Sequence, residues 1–343
     1  MLKRLTGILM TLSLLICAVT MSGCGSDSSE KPNGGKVASN KLVIYTSMKE
    51  SLIGGIVEGF KAKYTDIEVD YQSAGAGKIM AKLNAEKESG HMMADIIWTS
   101  EVPDFYQMRD EGMLEKYQPA GFEEILNPFD DYDGSFTAAR LGTLGIVINT
   151  EKISTPPASW EEIVTNPAYK DAFGIADPAL SGTAYMSVAL LEKQFGWDYF
   201  IRLHDNGAVK SKGSGRVIDD TVSGTLSACL GVDYITAGKI DKGAPLQMVY
   251  PPENIVVPSP VAILKGADHV DAAKKFVDYV ITQEAQQKVA NAGTVPVRTD
   301  ITMPEKYNLP RPEQAVQHGI KINYVEILPH KDELINKFSN LFK

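Results

Sequence analysis

From residue 41 onward the chain alternates short apolar runs with helix-period segments, and no other feature limits its fold as strongly. "KLVIYTS" (41–47) reads as a strand, followed by Leu52, Ile56, Phe60 and Tyr64 at the i, i+4 spacing of one helix face. "IEVDYQSA" alternates like a strand, and "GKIMAKLNAEKESG" reads as a helix stopping at Gly90. "ADIIWTSE" is a continuous apolar run suited to a buried parallel strand, and "PDFYQMRDEGML" supplies the next helix. The second half repeats the style. "TLGIVINT" is a strand, "SWEEIVTNPAYKD" a helix capped at Ser159, and "FGIADP" a strand ahead of a helix ending at Gly196. Another helix near "DYFIRLHDNG" and a strand-like "ACLGVDY" follow. "NIVVPSPVAIL" then reads as a crossing back to the first half, and "HVDAAKKFVDYVITQEAQQKVANAG" as one helix. This order predicts an α/β fold with mainly parallel sheet flanked by helices. No fixed period recurs, which argues against a solenoid.

The opening "MLKRLTGILMTLSLLICAVTMSGC" has a basic start at Lys3 and Arg4, an apolar stretch and small residues at its end, the plan of a secretory leader. "MSGC" resembles the bacterial lipobox, with Met21 where Leu is usual, so residues 1–23 are expected to be a signal peptide and Cys24 the lipidated residue. Residues 24–40 are polar and rich in Gly and Ser, and are expected to tether the body flexibly to a membrane at the cell surface or in the periplasm. Of three cysteines only Cys229 remains in the body, so no internal disulfide is available there. A body of this length must be held by its apolar core and is long enough for two domains. The formal charge of -9 argues against a nucleic-acid partner. Five scattered histidines, with neither H-E-x-x-H nor G-x-S-x-G, offer no catalytic constellation and no zinc cluster, so neither an enzyme nor a cofactor is expected.

In open α/β sheets, ligands sit at the carboxyl ends of the strands. The loops there are Tyr45-Thr46-Ser47, residues 73–78, Thr99-Ser100-Glu101 and Ser181-Gly182-Thr183, all rich in hydroxyls or glycine. The last triplet stands directly ahead of an apolar helical run. Ser181 or Thr183 reads as an N-cap, which contributes ~0.5–2 kcal/mol. A glycine between two hydroxyls also lets an anion reach the free N–H groups of the helix start. Arg216, in the Gly-rich "KGSGRVIDD", reads either as a bidentate phosphoryl clamp or as a surface partner of Asp219 or Asp220.

"LVIYTSMKE", "ADIIWTSE", "GIVINT", "DPALSGTAY" and "GTVPVR" occur in one order that resembles the solute-binding proteins of ABC importers, in the group of ferric-ion, 2-aminoethylphosphonate and sugar-phosphate binders. The resemblance covers residue 41 to the C-terminus. It implies a two-lobed periplasmic-binding-protein fold: residues 41–147 with 258–343 as one lobe, 148–257 as the other, and hinges near 147–150 and 256–260. It also implies a small anionic solute as ligand, a separately encoded permease and ATPase as partners, and action as a monomer. Ferric binders in the group use a histidine after the first strand and adjacent tyrosines in the second lobe. Here Met48 takes the histidine's place, and Asp233 precedes the single phenol of Tyr234. Phosphonate and phosphate-ester binders use a similar Ser-Gly-Thr turn for the anion. The expected ligand is therefore a phosphonate or phosphorylated organic anion, such as 2-aminoethylphosphonate, with ferric ion on Asp233 and Tyr234 as the alternative, and a hydrolase or a non-transport surface receptor as lesser alternatives. The expected site comprises Thr46, Ser47, Thr99, Ser100, Ser181, Gly182, Thr183, Arg216, Asp233 and Tyr234. For a ligand amine, Asp233, Tyr234 and Glu101 are the candidate partners, while Tyr45 and Tyr185 read as packing residues.

Overall fold

Among the described residues ten strands join in one sheet, β1 (Lys41–Thr46), β2 (Glu68–Ser73), β3 (Ile96–Trp98), β4 (Leu114–Glu115), β5 (Thr137–Asn149), β6 (Phe173–Ala176), β7 (Val209–Ser211), β8 (Ala228–Val232), β9 (Leu246–Val249) and β10 (Ile255–Leu264). The computed structural model describes residues 40–343; the leader, Cys24 and the tether through residue 39 lie outside them. The strand order is β2-β1-β3-β10-β5-β8-β6-β7, with β4 on β10 and β9 on β5. Two parallel sets stand at the ends, β2-β1-β3 and β8-β6-β7. Between them β5 and β10 pair antiparallel with each other and with β8 and β3. Both long strands are buried along their whole length, as their near-continuous apolar sequences require. Their burial makes them the connection through which the two parallel sets share one sheet.

The pairing of β5 with β10 is interrupted. Pro258 stands opposite Leu141 and Pro260 opposite Ala138, so Ala139 and Arg140 together face only Ser259. This is a bulge on β5. Neither proline can donate to the ladder. The carbonyl of Ala139 is satisfied instead by Gln286 Nε2 at 2.8 Å, and Leu141 N donates to Val295 O at 2.8 Å.

Helices behave locally as their sequences dictate. The helix Ala76–Ser89 ends on Gly90 in the left-handed region. Ser159 caps Trp160–Thr165, accepting from Glu162 N. The segment read as one helix after residue 269 is two, Val270–Val280 and Gln283–Asn291. Thr282 divides them: its extended backbone and its hydroxyl, which accepts from Ala285 N, start a new helix. The short β4, β7 and β9 carry too few residues to show a period of two.

The terminal helix Lys331–Leu341, grouped with the first half in the sequence reading, touches both halves. Phe338 meets Phe200 edge-on at 5.9 Å, and Lys331 Nζ lies 3.0 Å from Glu101 Oε1 and 2.7 Å from Asp104 Oδ1. Glu101 Oε2 and Asp104 Oδ2 are buried without a partner among the described residues. Burial, and next to it the Asp104 carboxylate, pushes the Glu101 carboxyl up to about 7. The fold therefore keeps a proton that the unfolded chain releases above its ordinary value of 4.5. This contribution to stability is full below that value and is lost as pH rises to about 7. Thermal melts across this window should show the wild type losing several degrees that Glu101→Gln keeps; equal slopes for the two proteins would refute the assignment.

Candidate functional site

The carboxyl ends of six parallel strands converge on one cavity of about 860 Å³. After β1 come Ser47 and Lys49; after β2, Ser73 to Lys78; after β3, Ser100. From the other parallel set come Ala179 to Thr183 after β6, Lys212 to Arg216 after β7, and Tyr234 after β8. Helices begin close by at Glu50, Ala76, Gly182, Ser214 and Asp233. The N–H groups of a helix's first turn have no partner within the helix, so these starts present positive ends to the same space.

The triplet lies at the start of Gly182–Phe195. Ser181 is its N-cap, accepting from Ala184 N at a long 3.4 Å. The two hydroxyls also meet a third. Ser181 Oγ, Thr183 Oγ1 and Ser214 Oγ form a triangle with sides of 3.0, 3.0 and 3.1 Å. Ser214 opens the helix Ser214–Val222, so hydroxyls from two helix starts are gathered at one point. The turn after β2 closes against it. A Cβ at Gly75 would stand 2.8 Å from the Leu180 carbonyl, a distance only glycine avoids.

Seven of the ten expected residues line the cavity: Ser47, Ser100, Ser181, Gly182, Thr183, Arg216 and Tyr234. Thr46, Thr99 and Asp233 lie behind its wall. Thr46 Oγ1 donates to Trp98 O and accepts from Met48 N, which fixes the loop after β1. Thr99 is fully buried, and its carbonyl accepts from Ser259 Oγ. Asp233 Oδ2 accepts from Thr143 N, Thr143 Oγ1 and Thr294 Oγ1, while Oδ1 accepts from Tyr234 N. It thereby ties β5, the turn before Val295 and the helix Asp233–Ile240 together. Burial raises its carboxyl above the usual range, and Arg140 opposes that shift. Arg216 sits at the rim and is paired with Asp220 at 2.8 Å. Tyr234 accepts from Lys49 N at 3.2 Å. Tyr45 and Tyr185 are both buried, Tyr45 donating to Glu86 Oε1 at 2.6 Å.

Sequence reasoning missed Arg140. This side chain, 1% exposed, lines the cavity and crosses the Tyr234 ring at 5.3 Å. Gly142 leaves room for it, since a Cβ there would lie 2.6 Å from Arg140 Nη1. The available signal was an arginine set in the apolar "FTAARLGTLGIVIN". Lys49, Lys78 and Lys212 were also passed over. With Arg140 and Arg216 they make five cationic side chains in the lining, and no Asp or Glu is among the lining residues that the structure describes. In a chain of formal charge -9, this concentration of one sign marks a place for an anion.

Comparison with known proteins gives the family. A chain from Haemophilus influenzae of uncharacterised role is 31% identical over 271 residues, 74% of this chain and 77% of its own. A putative 2-aminoethylphosphonate-binding periplasmic protein of Salmonella typhimurium is 23% identical, over 71% of this chain and 74% of its own. Among solved structures, the periplasmic binding protein AfuA from Actinobacillus pleuropneumoniae, with fructose-6-phosphate bound, superposes with a TM-score of 0.74 at 27% identity. That match covers 88% of this chain and 98% of AfuA. A family model of bacterial extracellular solute-binding proteins matches residues 92–325, well over half of the sequence, and the chain belongs to that family.

Proposed function

We propose that this protein captures a phosphonate or phosphorylated organic anion between two lobes and hands it to an ABC permease, without chemical turnover. On this reading the lobe boundaries fall at 147/148 and 257/258, on the long strands β5 and β10, and the terminal helix crosses to lie on both lobes. The observation that carries the reading is the triangle of Ser181, Thr183 and Ser214 hydroxyls at two helix starts, within a cavity lined by five cations. Hydrogen bonds to a charged group contribute roughly 1.5–3 kcal/mol each. Three or four of them match the ~8 kcal/mol of micromolar affinity before the cost of closure. The ligands named for the Salmonella protein and for AfuA are both phosphoryl compounds, which supports the same class.

Ferric ion is the weaker reading. Asp233 has its oxygens committed to four donors and does not line the cavity, which leaves Tyr234 alone. Burial, opposed by Arg140, also holds that phenol above its usual range, against the deprotonation a ferric ligand requires. Five cationic side chains around a trivalent cation add repulsion.

Titration calorimetry of the full-length protein with fructose-6-phosphate, 2-aminoethylphosphonate and ferric citrate tests the proposal. A phosphoryl compound should bind, and the double variant Ser181→Ala/Thr183→Ala should lose about a hundredfold or more in affinity. Unchanged affinity in that variant would sink the site assignment, and saturation by iron with a tyrosinate charge-transfer band would replace the ligand class. The lipid anchor is proposed on "MSGC" alone. Cys24→Ser should move the protein from the membrane fraction to the soluble fraction, and continued membrane retention would remove the anchor from the account.

A further inference from the structure

We infer that the cavity contains a second anion subsite, built on Arg140, and that the solute is acidic at both ends. The inference rests on the proposal that the Ser181-Gly182-Thr183 turn takes a phosphoryl group. Arg140 Nη1 donates to Thr294 Oγ1 at 3.1 Å and Nη2 to Ser100 Oγ at 3.0 Å. Its Nε is buried and has no partner among the described residues. No described carboxylate forms an ion pair with this guanidinium; Thr294 relays it to Asp233, donating to Oδ2 at 2.6 Å. A buried charge held by two hydroxyls and the face of the Tyr234 ring, with no ion-pair partner, is costly unless a counter-charge arrives. The fold nevertheless invests in placing it. The bulge at Ala139-Arg140 re-aims the side chain, Gln286 satisfies the carbonyl that the bulge frees, and Gly142 clears its path.

The same lining excludes the opposite charge. Ser47, Ser100, Lys49 and Tyr234 are the other polar groups after β1, β3 and β8, and among the described residues no Asp or Glu lines the cavity with them. An ammonium group at the far end of a bound phosphonate would meet Arg140 and Lys49 with no counter-ion. A carboxylate or second phosphoryl group there would accept from the guanidinium, a charge-assisted pairing. The structure thus favours a phosphorylated carboxylate or a bisphosphorylated solute over a zwitterionic aminophosphonate.

Three compounds of matched size separate these alternatives: 2-carboxyethylphosphonate, propylphosphonate and 2-aminoethylphosphonate, which end in carboxylate, methyl and ammonium. Calorimetry on the full-length protein should rank carboxylate above methyl above ammonium, with about tenfold or more between the first two. Arg140→Gln should bring the carboxylate compound down to the methyl level while changing propylphosphonate by less than about threefold. An ammonium compound that binds as well as the carboxylate compound overturns the subsite. So does a uniform loss across all three in Arg140→Gln, which would put Arg140 on the phosphoryl group. If that variant does not fold, the wild-type ranking decides alone. A flat ranking that is abolished by Ser181→Ala/Thr183→Ala overturns the Arg140 subsite and keeps the phosphoryl turn. Binding of none of the three overturns the subsite, and if fructose-6-phosphate does not bind either, the phosphoryl turn falls with it.

Discussion

Two prolines on either side of Ser259 govern much of this structure. Because neither Pro258 nor Pro260 carries an N–H, β10 cannot pair regularly with β5 there, and β5 takes an extra residue. The bulge ties together parts far apart in sequence. Gln286, from the helix Gln283–Asn291, donates to Ala139 O and accepts from Val297 N at 2.8 Å, joining that helix and the segment after it to the central pair of strands. Ser259 donates to Thr99 O at 2.8 Å and accepts from Trp98 Nε1 at 3.3 Å, joining β3 to the same point. Arg140 stands at the centre of this knot. A local defect in a ladder has thus become the fixed support of the most buried cation in the cavity.

The electrostatics work on two scales. At long range a chain of formal charge -9 repels an anionic solute. At physiological ionic strength, however, that repulsion is screened within about 8 Å. Inside the cavity the nearest charges decide, and there the lining is cationic and the helix starts add partial positive charge. The acids that balance these cations sit behind or outside the wall. Asp220 holds Arg216 at the rim, and Asp233 is joined to Arg140 by hydrogen bonds through Thr294. Pairing at one remove anchors the cations without filling the positions a ligand anion would take.

The sequence was legible where chemistry is local. Apolar runs and alternation located β1, β2, β3, β5, β6, β8 and β10, and the rule that parallel sheets bind at their carboxyl ends selected four loops whose residues line the cavity. The Ser-Gly-Thr turn was visible as a cap, and Ser181 is one. What escaped depends on register. Thr46 and Thr99 carry the right hydroxyls, but the strand ends turn Thr46 Oγ1 toward Trp98 O and Thr99 Oγ1 toward Glu101 N. Asp233 looked available because nothing nearby in sequence shows Thr143 and Thr294 converging on it. Arg140 was hidden for the same reason. Its role comes from a bulge set by prolines more than a hundred residues away, which a single strand's pattern does not reveal.

A ligand can shift a conformational equilibrium only by as much as it prefers one state over the other. On the proposed division into lobes, the Ser181, Thr183 and Ser214 hydroxyls belong to the second lobe, while Ser100, Lys49 and Arg140 belong to the first. A solute with one anionic end would be satisfied by the triangle in either state and would favour closure weakly. One with two anionic ends needs both walls at once. In the arrangement described here those walls already meet, with Gly75 against the Leu180 carbonyl. The second charge would therefore serve less to tighten binding in general than to make affinity depend on closure, the property a delivery protein requires.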